Sequence, residues 1–185
     1  MTSSQRPILS HVGLHVWDLE RMVDFYCKVF GLIVTDKGFG HTTNAELVFL
    51  SGSPEHHHQL VLASSRPDNA TFSTVMQLSF LAPSIGALRE GRDKALVLGA
   101  SNLLCLNHGT SLSVYVDDPE GNRIEIYYET PFYIPQPHGD PLNLDQNDEE
   151  IMRETERRCR GDGAFMPREE WKRRFVTQRD SAANL

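Results

Sequence analysis

Hydrophobic residues along this chain first alternate with polar residues, as in a strand, and then recur every three or four residues, as in a helix. This strand-and-helix pattern occurs twice. Residues 8–16 alternate between apolar and polar positions, as expected for a strand with one buried face. Apolar residues then recur at helical spacing over 19–30, where Asp18 can cap the helix and Gly31 can end it. Residues 38–44 are predicted to form a polar connection. Further strands are predicted at 32–35, 46–50 and 58–63.

The second copy of the pattern begins after a polar linker at 64–71. A strand is predicted at 75–81, and Ser84 can cap the helix that follows. When Leu19 is aligned with Ile85, the apolar positions of the two predicted helices coincide, which supports an internal repeat. Three strands complete this copy, at 103–106, 112–116 and 123–128, with a turn at 118–122. The chain is therefore predicted to contain two βαβββ modules, at about 8–64 and 72–130.

The chain changes character after the second module. Prolines recur over 131–144 and disfavour a regular strand ladder, so an extended arm is expected there. Short helices are predicted at 148–158 and 167–174. Trp171 and Phe175 are one helical turn apart, so they share one helix face and can dock the second of these helices.

The predicted organisation is one domain followed by a tail. Residues 1–135 form a single domain of two modules, and residues 136–185 form an arm with short helices rather than a separate domain. The chain end at 180–185 is expected to fray. The plainest role for the tail is to cover sheet edges or a dimer partner.

Composition and charge restrict the classes of function. The 185 residues are 39% hydrophobic and 23% charged, as in soluble globular proteins. The formal net charge of −7 argues against nucleic acid or an anionic membrane as the principal partner. No stretch approaches ~20 consecutive apolar residues, and residues 1–7 lack the apolar core of a secretion signal. The three cysteines have no paired spacing, so a reduced, cytoplasmic compartment is predicted.

Four side chains that can ligate a metal lie in four of the predicted strands. His11 lies in the first of them, and His58 opens the last predicted strand of the first module. Gln77 lies in the first strand of the second module, and Glu125 lies in its last, at almost the same interval. The matched intervals predict a duplication that brings two imidazoles and a carboxylate to one point. Such a set suits non-haem Fe(II) with open coordination positions, and it would also hold Mn(II), Zn(II) or Ni(II).

Each of these residues also has a plainer interpretation. A single histidine in a strand is more often a surface or hydrogen-bonded residue than a metal ligand. Residues 56–58 could form an exposed loop tip without a role. Glu125 could be the outward residue of an amphipathic strand. The joint spacing of the four residues is what favours a metal site.

Several segments of the sequence resemble the vicinal oxygen chelate superfamily, which includes glyoxalases, bleomycin-resistance proteins and extradiol dioxygenases. The segments are H-V-G-L-H-V-W-D-L from His11, F-Y-C-K-V-F-G-L from Phe25, H-H-Q-L-V-L-A from His57 and N-H-G-T-S-L-S-V-Y-V-D-D-P-E-G-N-R-I-E-I-Y-Y from Asn107. The resemblance covers about residues 8–130. The arm Y-I-P-Q-P-H-G-D-P-L-N-L from Tyr133 is similar to tails of small one-domain type I extradiol, catechol-type dioxygenases.

The resemblance implies a fold and a set of site residues. The fold is α+β, with paired βαβββ modules that form an open eight-stranded cup around a metal, followed by an extended and helical tail. The superfamily's metal positions match His11, His58, Gln77 and Glu125. In the extradiol enzymes, the residue that matches Tyr115 contacts the substrate, and a histidine that approximately matches His108 is a hydrogen-bond donor behind the ligands; both are the expected catalytic residues.

One position departs from the extradiol pattern. Where the larger extradiol enzymes supply a second iron-binding histidine, this chain has Gln77. In those enzymes the histidine that matches His58 is an acid or base rather than a ligand. Two assignments therefore stay open. His58 can enter the metal shell with Gln77 as a fourth ligand or substrate contact, or the chemistry is not extradiol cleavage.

The resemblance implies three functions in order of preference. The first is an Fe(II)-dependent extradiol dioxygenase that cleaves a catechol-like aromatic diol with O2, as a homodimer that binds neither nucleic acid nor membrane. The second is a metal-dependent lyase or isomerase of the glyoxalase or epimerase type, which works through an enediolate and for which Gln77 would complete the ligand set. The third is a drug-binding protein without a metal.

Overall fold

The secondary structure follows the predicted order of two βαβββ modules and a tail. The structure is a computed structural model, and it describes residues 7–182. The first module contains β1 (Val12–His15), α1 (Leu19–Phe30), β2 (Ile33–Gly40), β3 (Ala45–Ser51) and β4 (Leu60–Ala63). The second contains β5 (Leu78–Leu81), α2 (Ile85–Val97), β6 (Ser101–Asn107), β7 (Ser111–Asp117) and β8 (Arg123–Glu129). The tail contains β9 (Phe132–Tyr133), β10 (Asp140–Pro141), α3 (Asp148–Arg160), β11 (Met166–Pro167) and α4 (Arg168–Ala182). The predicted α+β fold with paired modules is confirmed.

The chain divides into two compact units with one sheet each. The first unit comprises the described residues up to Thr74 together with Asp118–Asn122, and the second comprises Val75–Asp117 and the described residues from Arg123 onward. The first sheet has the order β1-β4-β3-β2, and the second has the order β10-β6-β7-β8-β5. In both units the first and last strands of the module are parallel neighbours. This shared topology is direct structural evidence for the duplication.

Both module helices begin at the predicted caps. The side chain of Asp18 accepts a hydrogen bond from the amide of Arg21, and Ser84 does the same for Ala87. Gly31 ends α1 in the left-handed conformation, with φ of 66°, which glycine adopts without steric cost. The periodicity predicts a face of Leu19, Met22, Val23, Tyr26 and Phe30, whereas the buried residues of α1 are Met22, Phe25, Tyr26 and Val29, so the prediction holds for Met22 and Tyr26 only. Within residues 7–182, no helix has both the length and the apolar character needed to cross a membrane.

Several strand ends differ from the predictions. The first strand begins at Val12 rather than residue 8, because the side chains of Ile8 and Leu9 lie in solvent. Strand β2 continues to Gly40, where a polar connection was expected. It is the edge strand of its sheet and is exposed along nearly its whole length, so polar residues suit it. Strands β4 and β5 likewise begin later than predicted, at Leu60 and Leu78.

The tail packs against the second sheet. Strand β10 pairs with β6 and covers that edge, with Pro141 opposite Leu106. The expectation that the prolines exclude a ladder is therefore wrong at Pro141, which is tolerated because an outer strand does not need every amide as a donor. Buried side chains of the tail complete the core of this unit, namely Ile134, Leu144, Ile151 and Cys159.

The last helix is longer than predicted. Helix α4 extends from Arg168 to Ala182, although fraying was expected from residue 180; residues 183–185 lie outside the described residues. Trp171 docks as predicted, because its ring stacks on Tyr133 with 5.7 Å between centroids. Phe175 stacks on Trp171 but keeps half of its surface exposed.

The turn at Asp118–Asn122 reverses the chain and also packs against helix α1 of the first unit. The carboxylate of Asp118 accepts hydrogen bonds from the backbone amides of Glu120 and Asn122, at 2.9 and 2.8 Å. The Tyr26 hydroxyl, on α1, donates to the same carboxylate over 2.9 Å. The Asp-Pro-Glu-Gly-Asn sequence therefore has a structural reason beyond turn chemistry.

We expect the Tyr26→Phe variant to be less stable than the wild type at neutral pH. As the pH rises, the stability of the variant should fall less than that of the wild type. Burial, and then the charge of Asp118, raise the pKa of Tyr26 well above its ordinary value. Because the pKa of Tyr26 is higher in the folded than in the unfolded chain, its protonated hydroxyl stabilises the folded state. This contribution is complete at pH values below about 10, the pKa of an unfolded tyrosine, and is lost as the pH rises from there toward the folded pKa. At pH 7 the lost hydrogen bond should cost about 1–3 kcal/mol.

Urea unfolding at pH 7 and at an alkaline pH above 10 would measure this difference. The matched control is Tyr128→Phe, which removes one hydroxyl from the second unit. If the stability gap between the wild type and Tyr26→Phe stayed constant across that pH range, the linkage assigned to Tyr26 would be wrong.

Candidate metal and substrate site

The two predicted histidine ligands meet in the first unit. His11 lies immediately before β1, His58 lies two residues before β4, and their ring centroids are 4.3 Å apart. Phe49 of β3 packs edge-on against His58 at 5.1 Å. Burial, then the neighbouring His11 and His57, lower the pKa of His58. This side of the unit therefore presents two adjacent imidazoles beside an aromatic ring.

A chain of hydrogen bonds selects the nitrogen that His58 can offer. Nε2 of His57 lies 3.2 Å from the Asp36 carboxylate, and Nδ1 of His57 lies 3.0 Å from Nδ1 of His58. When neutral His57 donates its Nε2–H to Asp36, its Nδ1 can only accept, so the His58 Nδ1 must be the donor. That tautomer leaves Nε2 of His58 with the free lone pair that a metal requires.

The carboxylate of Glu125 is the most enclosed of the predicted ligands. It lies in β8 of the second unit with 9% of the residue exposed. Oε2 accepts hydrogen bonds from Gln77 Nε2 at 2.9 Å and from Ser79 Oγ at 2.7 Å. Oε1 accepts from the Tyr115 hydroxyl at 2.8 Å. These three donors fix the orientation of the carboxylate.

Tyr115 and His108 extend this network toward the tail. The Tyr115 hydroxyl lies 3.0 Å from Nε2 of His108, and Nδ1 of His108 donates to the backbone carbonyl of His138. A carbonyl only accepts, so Nδ1 carries a proton and Nε2 faces Tyr115. Burial first, and then the Glu125 carboxylate, raise the pKa of Tyr115 to about 12. Tyr115 therefore stays protonated at neutral pH and can act as a donor.

The count of protons in this network shows what it can do. Its two ends, the Glu125 carboxylate and the His138 carbonyl, are both acceptors. The three contacts along His138–His108–Tyr115–Glu125 therefore need three protons, whereas a neutral imidazole and a phenol supply two. The network is complete when it holds one further proton, on the imidazole or on the carboxylate. This arrangement can hold and deliver a proton beside a substrate.

The structure brings the four predicted ligands together as two pairs. His11 and His58 belong to the first unit, and Gln77 and Glu125 belong to the second. Within residues 7–182, no group of three or more His, Cys, Asp or Glu side chains stands close enough to hold a metal ion. The donor chemistry of each pair suits a divalent metal. A complete ligand set remains a prediction.

The register of the strands corrects the argument from equal intervals. Glu125 stands directly opposite Ser79, with Gln77 two residues earlier in the chain. In the first unit, His58 precedes β4 and so has no strand partner, while Val61 stands opposite Gly13. The four residues are therefore not at equivalent positions, because the two nearly equal intervals also include loops of different length.

Some residues of the site were missed by sequence reasoning. Ser79 could have been found, because it follows Gln77 by two residues and so shares its strand face. The contact between Asp36 and His57 depends on β2, which was predicted to end before Asp36. The carbonyl of His138 reaches His108 through the fold of the tail, for which the sequence carried no signal.

Comparison with protein families matches residues 8–126 to the Glyoxalase/Bleomycin resistance protein/Dioxygenase superfamily. Among curated proteins, the chain is 27% identical over 123 residues to biphenyl-2,3-diol 1,2-dioxygenase 2 of Rhodococcus globerulus. That match covers 65% of this chain and 62% of the dioxygenase, so the chain spans less than two thirds of that relative. It is 25% identical over 124 residues to lactoylglutathione lyase of Escherichia coli O157:H7, covering 65% of this chain and 92% of the lyase.

Solved structures share the fold at low sequence identity. A glyoxalase/bleomycin resistance protein/dioxygenase domain from Frankia sp. EAN1pec has a TM-score of 0.56 and 18% identity, covering 68% of this chain and all of that domain. The fosfomycin resistance protein FosX of Listeria monocytogenes, solved with Mn(II) and sulfate, has a TM-score of 0.52 and 17% identity. It covers 68% of this chain and 95% of FosX. With its two βαβββ modules and a family match across most of its length, the chain belongs to the glyoxalase, bleomycin resistance protein and dioxygenase superfamily.

Proposed function

We propose that this protein is a metal-dependent extradiol dioxygenase that cleaves a catechol-like aromatic diol with O2. The observation that carries the proposal is the His108–Tyr115–Glu125 network, which places a proton donor against a carboxylate ligand candidate. The curated dioxygenase relative, at 27% identity, supports the same reaction class. The apolar Leu81 and Leu104 lie on the sheet face of Tyr115 and Glu125, which suits an aromatic substrate.

We propose His11, His58 and Glu125 as the metal ligands, with Gln77 as a fourth ligand or a substrate contact. Two imidazoles and a carboxylate suit Fe(II) best, and Mn(II), Zn(II) or Ni(II) would also be held by such donors. Bound Fe(II) would supply the Lewis acidity and the oxygen chemistry of the reaction. The protein's own contribution is to fix the carboxylate through Gln77 and Ser79 and to fix the His58 tautomer through His57.

Tyr115 and His108 are proposed to handle the substrate's protons. The Tyr115 hydroxyl can donate to an oxygen that gains negative charge, and a His108 ring protonated on both nitrogens can restore the proton at that hydroxyl. The His138 carbonyl keeps Nδ1 of His108 protonated, so that Nε2 stays directed at Tyr115. With Nδ1 protonated, a neutral His108 can only accept at Nε2, so it takes a proton from Tyr115 and can return it once both ring nitrogens carry protons.

Elemental analysis followed by anaerobic Fe(II) loading tests the proposal. The purified protein should contain iron or manganese, and the loaded protein should consume O2 and form yellow ring-fission products with at least one member of a catechol panel. Zinc or nickel in the purified protein, together with no O2 uptake across the panel, would exclude the dioxygenase.

We expect Tyr115→Phe to lower kcat by about 10²–10⁴-fold, while its metal content at saturating metal concentration stays unchanged. The substitution removes the donor at the substrate but leaves all four proposed ligands in place. Stopped-flow turnover and metal analysis of the same preparation would measure both quantities. Tyr128→Phe, on the neighbouring strand β8, serves as the control with full activity. A Tyr115→Phe variant with wild-type kcat would show that this hydroxyl has no part in the chemistry.

A second candidate function is a glyoxalase- or epimerase-type lyase or isomerase that forms an enediolate. The position of Gln77 favours it, because its amide lies 2.9 Å from Glu125 and can add an oxygen ligand beside the carboxylate. The lyase relative is matched over 92% of its length. Activity with Zn(II), Ni(II) or Co(II) that needs no O2 would select this function over the dioxygenase. A drug-binding protein without a metal is the third possibility, and tight metal binding would exclude it.

The assembly and compartment are further parts of the proposal. We propose a homodimer that works on a small molecule, which light scattering of the purified protein would test. All three cysteines, Cys27, Cys105 and Cys159, are free thiols. Free thiols suit a reducing compartment, so we propose the cytoplasm.

A further inference from the structure

A pocket of about 260 Å³ lies where the tail packs against the ends of β7 and β8 in the second unit. Tyr127 and Glu129 of β8 form one side of it, and Tyr133, Arg168 and Trp171 of the tail form the other. The family match ends at residue 126, and apart from Thr110 and Ser111 the residues that line this pocket lie beyond it. Its chemistry must therefore be argued from this chain.

The pocket opens on the same sheet face as the Glu125 carboxylate. Side chains two residues apart in a strand share a face, so Glu125, Tyr127 and Glu129 point to one side of β8. A strand rises about 3.3 Å per residue, which puts Tyr127 about 7 Å from Glu125 along the strand. A molecule that contacts Glu125 and Tyr115 can therefore extend into the pocket.

Aromatic rings form the pocket's walls. Tyr133 and Trp171 stack with an interplanar angle of 19°, and Phe132 and Tyr127 also line the space. Flat apolar walls of this kind suit an aromatic ring. The volume exceeds the ~150 Å³ that admits benzene and lies below the ~300 Å³ of pockets for drug-sized ligands. The space therefore fits one substituted ring.

The positive charge of Arg168 and the negative charge of Glu129 cancel in the pocket, but the guanidinium has more N–H donors than it has acceptors. Arg168 donates through Nη2 to Glu129 and reaches the Thr110 carbonyl through Nη1 at 3.5 Å. Nε of Arg168 is buried, and no residue in the described part of the chain accepts its hydrogen bond. Because Nε has almost no accessible surface, a neutral acceptor on a ligand can use only Nη1, whose contact with Thr110 is long; a carboxylate there would also meet the negative charge of Glu129.

We infer that this pocket binds an uncharged aromatic group that carries a hydrogen-bond acceptor. In the proposed dioxygenase, that group is the part of the substrate remote from the diol. This assignment to the substrate rests on the proposed function, whereas the affinity of the pocket for such a group does not. The tail is thereby a specificity element as well as a cover for the sheet edge.

Two probes without a diol test the pocket separately from catalysis. Methyl benzoate is neutral and carries a carbonyl acceptor, and benzoate has the same ring with a negative charge. Saturation-transfer NMR on the full, metal-free chain should show binding of methyl benzoate that is at least about fivefold tighter than that of benzoate. Trp171→Ala should weaken methyl benzoate binding at least about fivefold. Val176→Ala, on the same helix but outside the pocket, should leave it unchanged.

A variant that changes a charge, but leaves the aromatic wall intact, distinguishes specific recognition from simple loss of the pocket wall. Glu129→Gln should tighten benzoate binding at least about fivefold and leave methyl benzoate binding within about twofold of the wild type. Absence of methyl benzoate binding, or equal binding by the wild type and Trp171→Ala, would overturn the inference. If the probes bind as expected but no catechol is consumed, only the proposed function fails; consumption of catechols without probe binding leaves the function and removes the inference.

Discussion

Replacing Glu120 by alanine is expected to cost about 3–5 kcal/mol of unfolding free energy, because it strands a buried arginine. The side chains of Arg66 and Glu120 are 7% and 4% exposed, and their charged atoms are 3.6 Å apart. Glu120 also accepts hydrogen bonds from the backbone amides of Trp17 and Asp18, at 2.8 and 2.6 Å. The substitution therefore leaves a buried cation and two amides without their partner.

The remaining contacts of Arg66 cannot replace this carboxylate. Its guanidinium lies 3.8 Å from the centroid of the Trp17 ring and donates to the backbone carbonyl of Glu120. These contacts survive the substitution, but neither neutralises the charge. A loss of about 3–5 kcal/mol is a large share of the ~5–15 kcal/mol that stabilises a typical domain. We therefore expect Glu120→Ala to be folded only marginally at physiological temperature.

Urea unfolding of matched variants would measure the effect. Glu90→Gln removes a carboxylate from an exposed pair with Lys94 on α2, and it should change the stability by less than about 0.5 kcal/mol. The double variant Arg66→Met with Glu120→Gln removes both charges and should recover part of the loss, since a buried pair can be replaced by uncharged groups at low cost. A Glu120→Ala variant within about 1 kcal/mol of the wild type would show that the pair is not desolvated as the structure indicates.

The same turn illustrates what the sequence could and could not predict. Residues 118–122 were predicted as a turn from proline, glycine and asparagine, which is local chemistry. Their packing against Tyr26, Trp17 and Arg66 joins residues that are distant in the chain. Periodicity also predicted both module helices with their caps, because caps and apolar stripes are local signals. Strand ends were less accurate, since whether an end pairs depends on its neighbours in the sheet.

The candidate site divides in the same way. Residue type identified His11, His58 and Glu125 as candidates, and the hairpin block added Tyr115. Their partners required the register of the strands, and equal intervals along the chain were a poor guide to it. The contribution of the tail to His108 and to the second unit's aromatic pocket could not be predicted, because the prolines of the arm indicate only that the chain is extended.

Replacing Glu125 by alanine is expected to lower kcat/KM by about a thousandfold and to weaken metal binding. A metal ion contributes several kcal/mol of transition-state stabilisation, and a change of about 1.4 kcal/mol alters the rate by a factor of ten. The substitution removes the only carboxylate of the proposed set and also the acceptor of Gln77, Ser79 and Tyr115. Because these three donors then lose that buried acceptor, the unfolding free energy should fall by about 1–3 kcal/mol.

Metal titration by calorimetry, with turnover measured on the same samples, separates the role of Glu125 as a metal ligand from the role of the residues that donate hydrogen bonds to it. Ser79→Ala keeps the carboxylate and removes one donor to it, so metal affinity should fall only about 10–100-fold. Glu125→Gln keeps the size and an acceptor oxygen but not the charge, so it should stay folded and still bind metal poorly. If Glu125→Gln bound Fe(II) as tightly as the wild type, the carboxylate would be a structural acceptor for Tyr115 and Gln77, and the metal would have to be held by other residues.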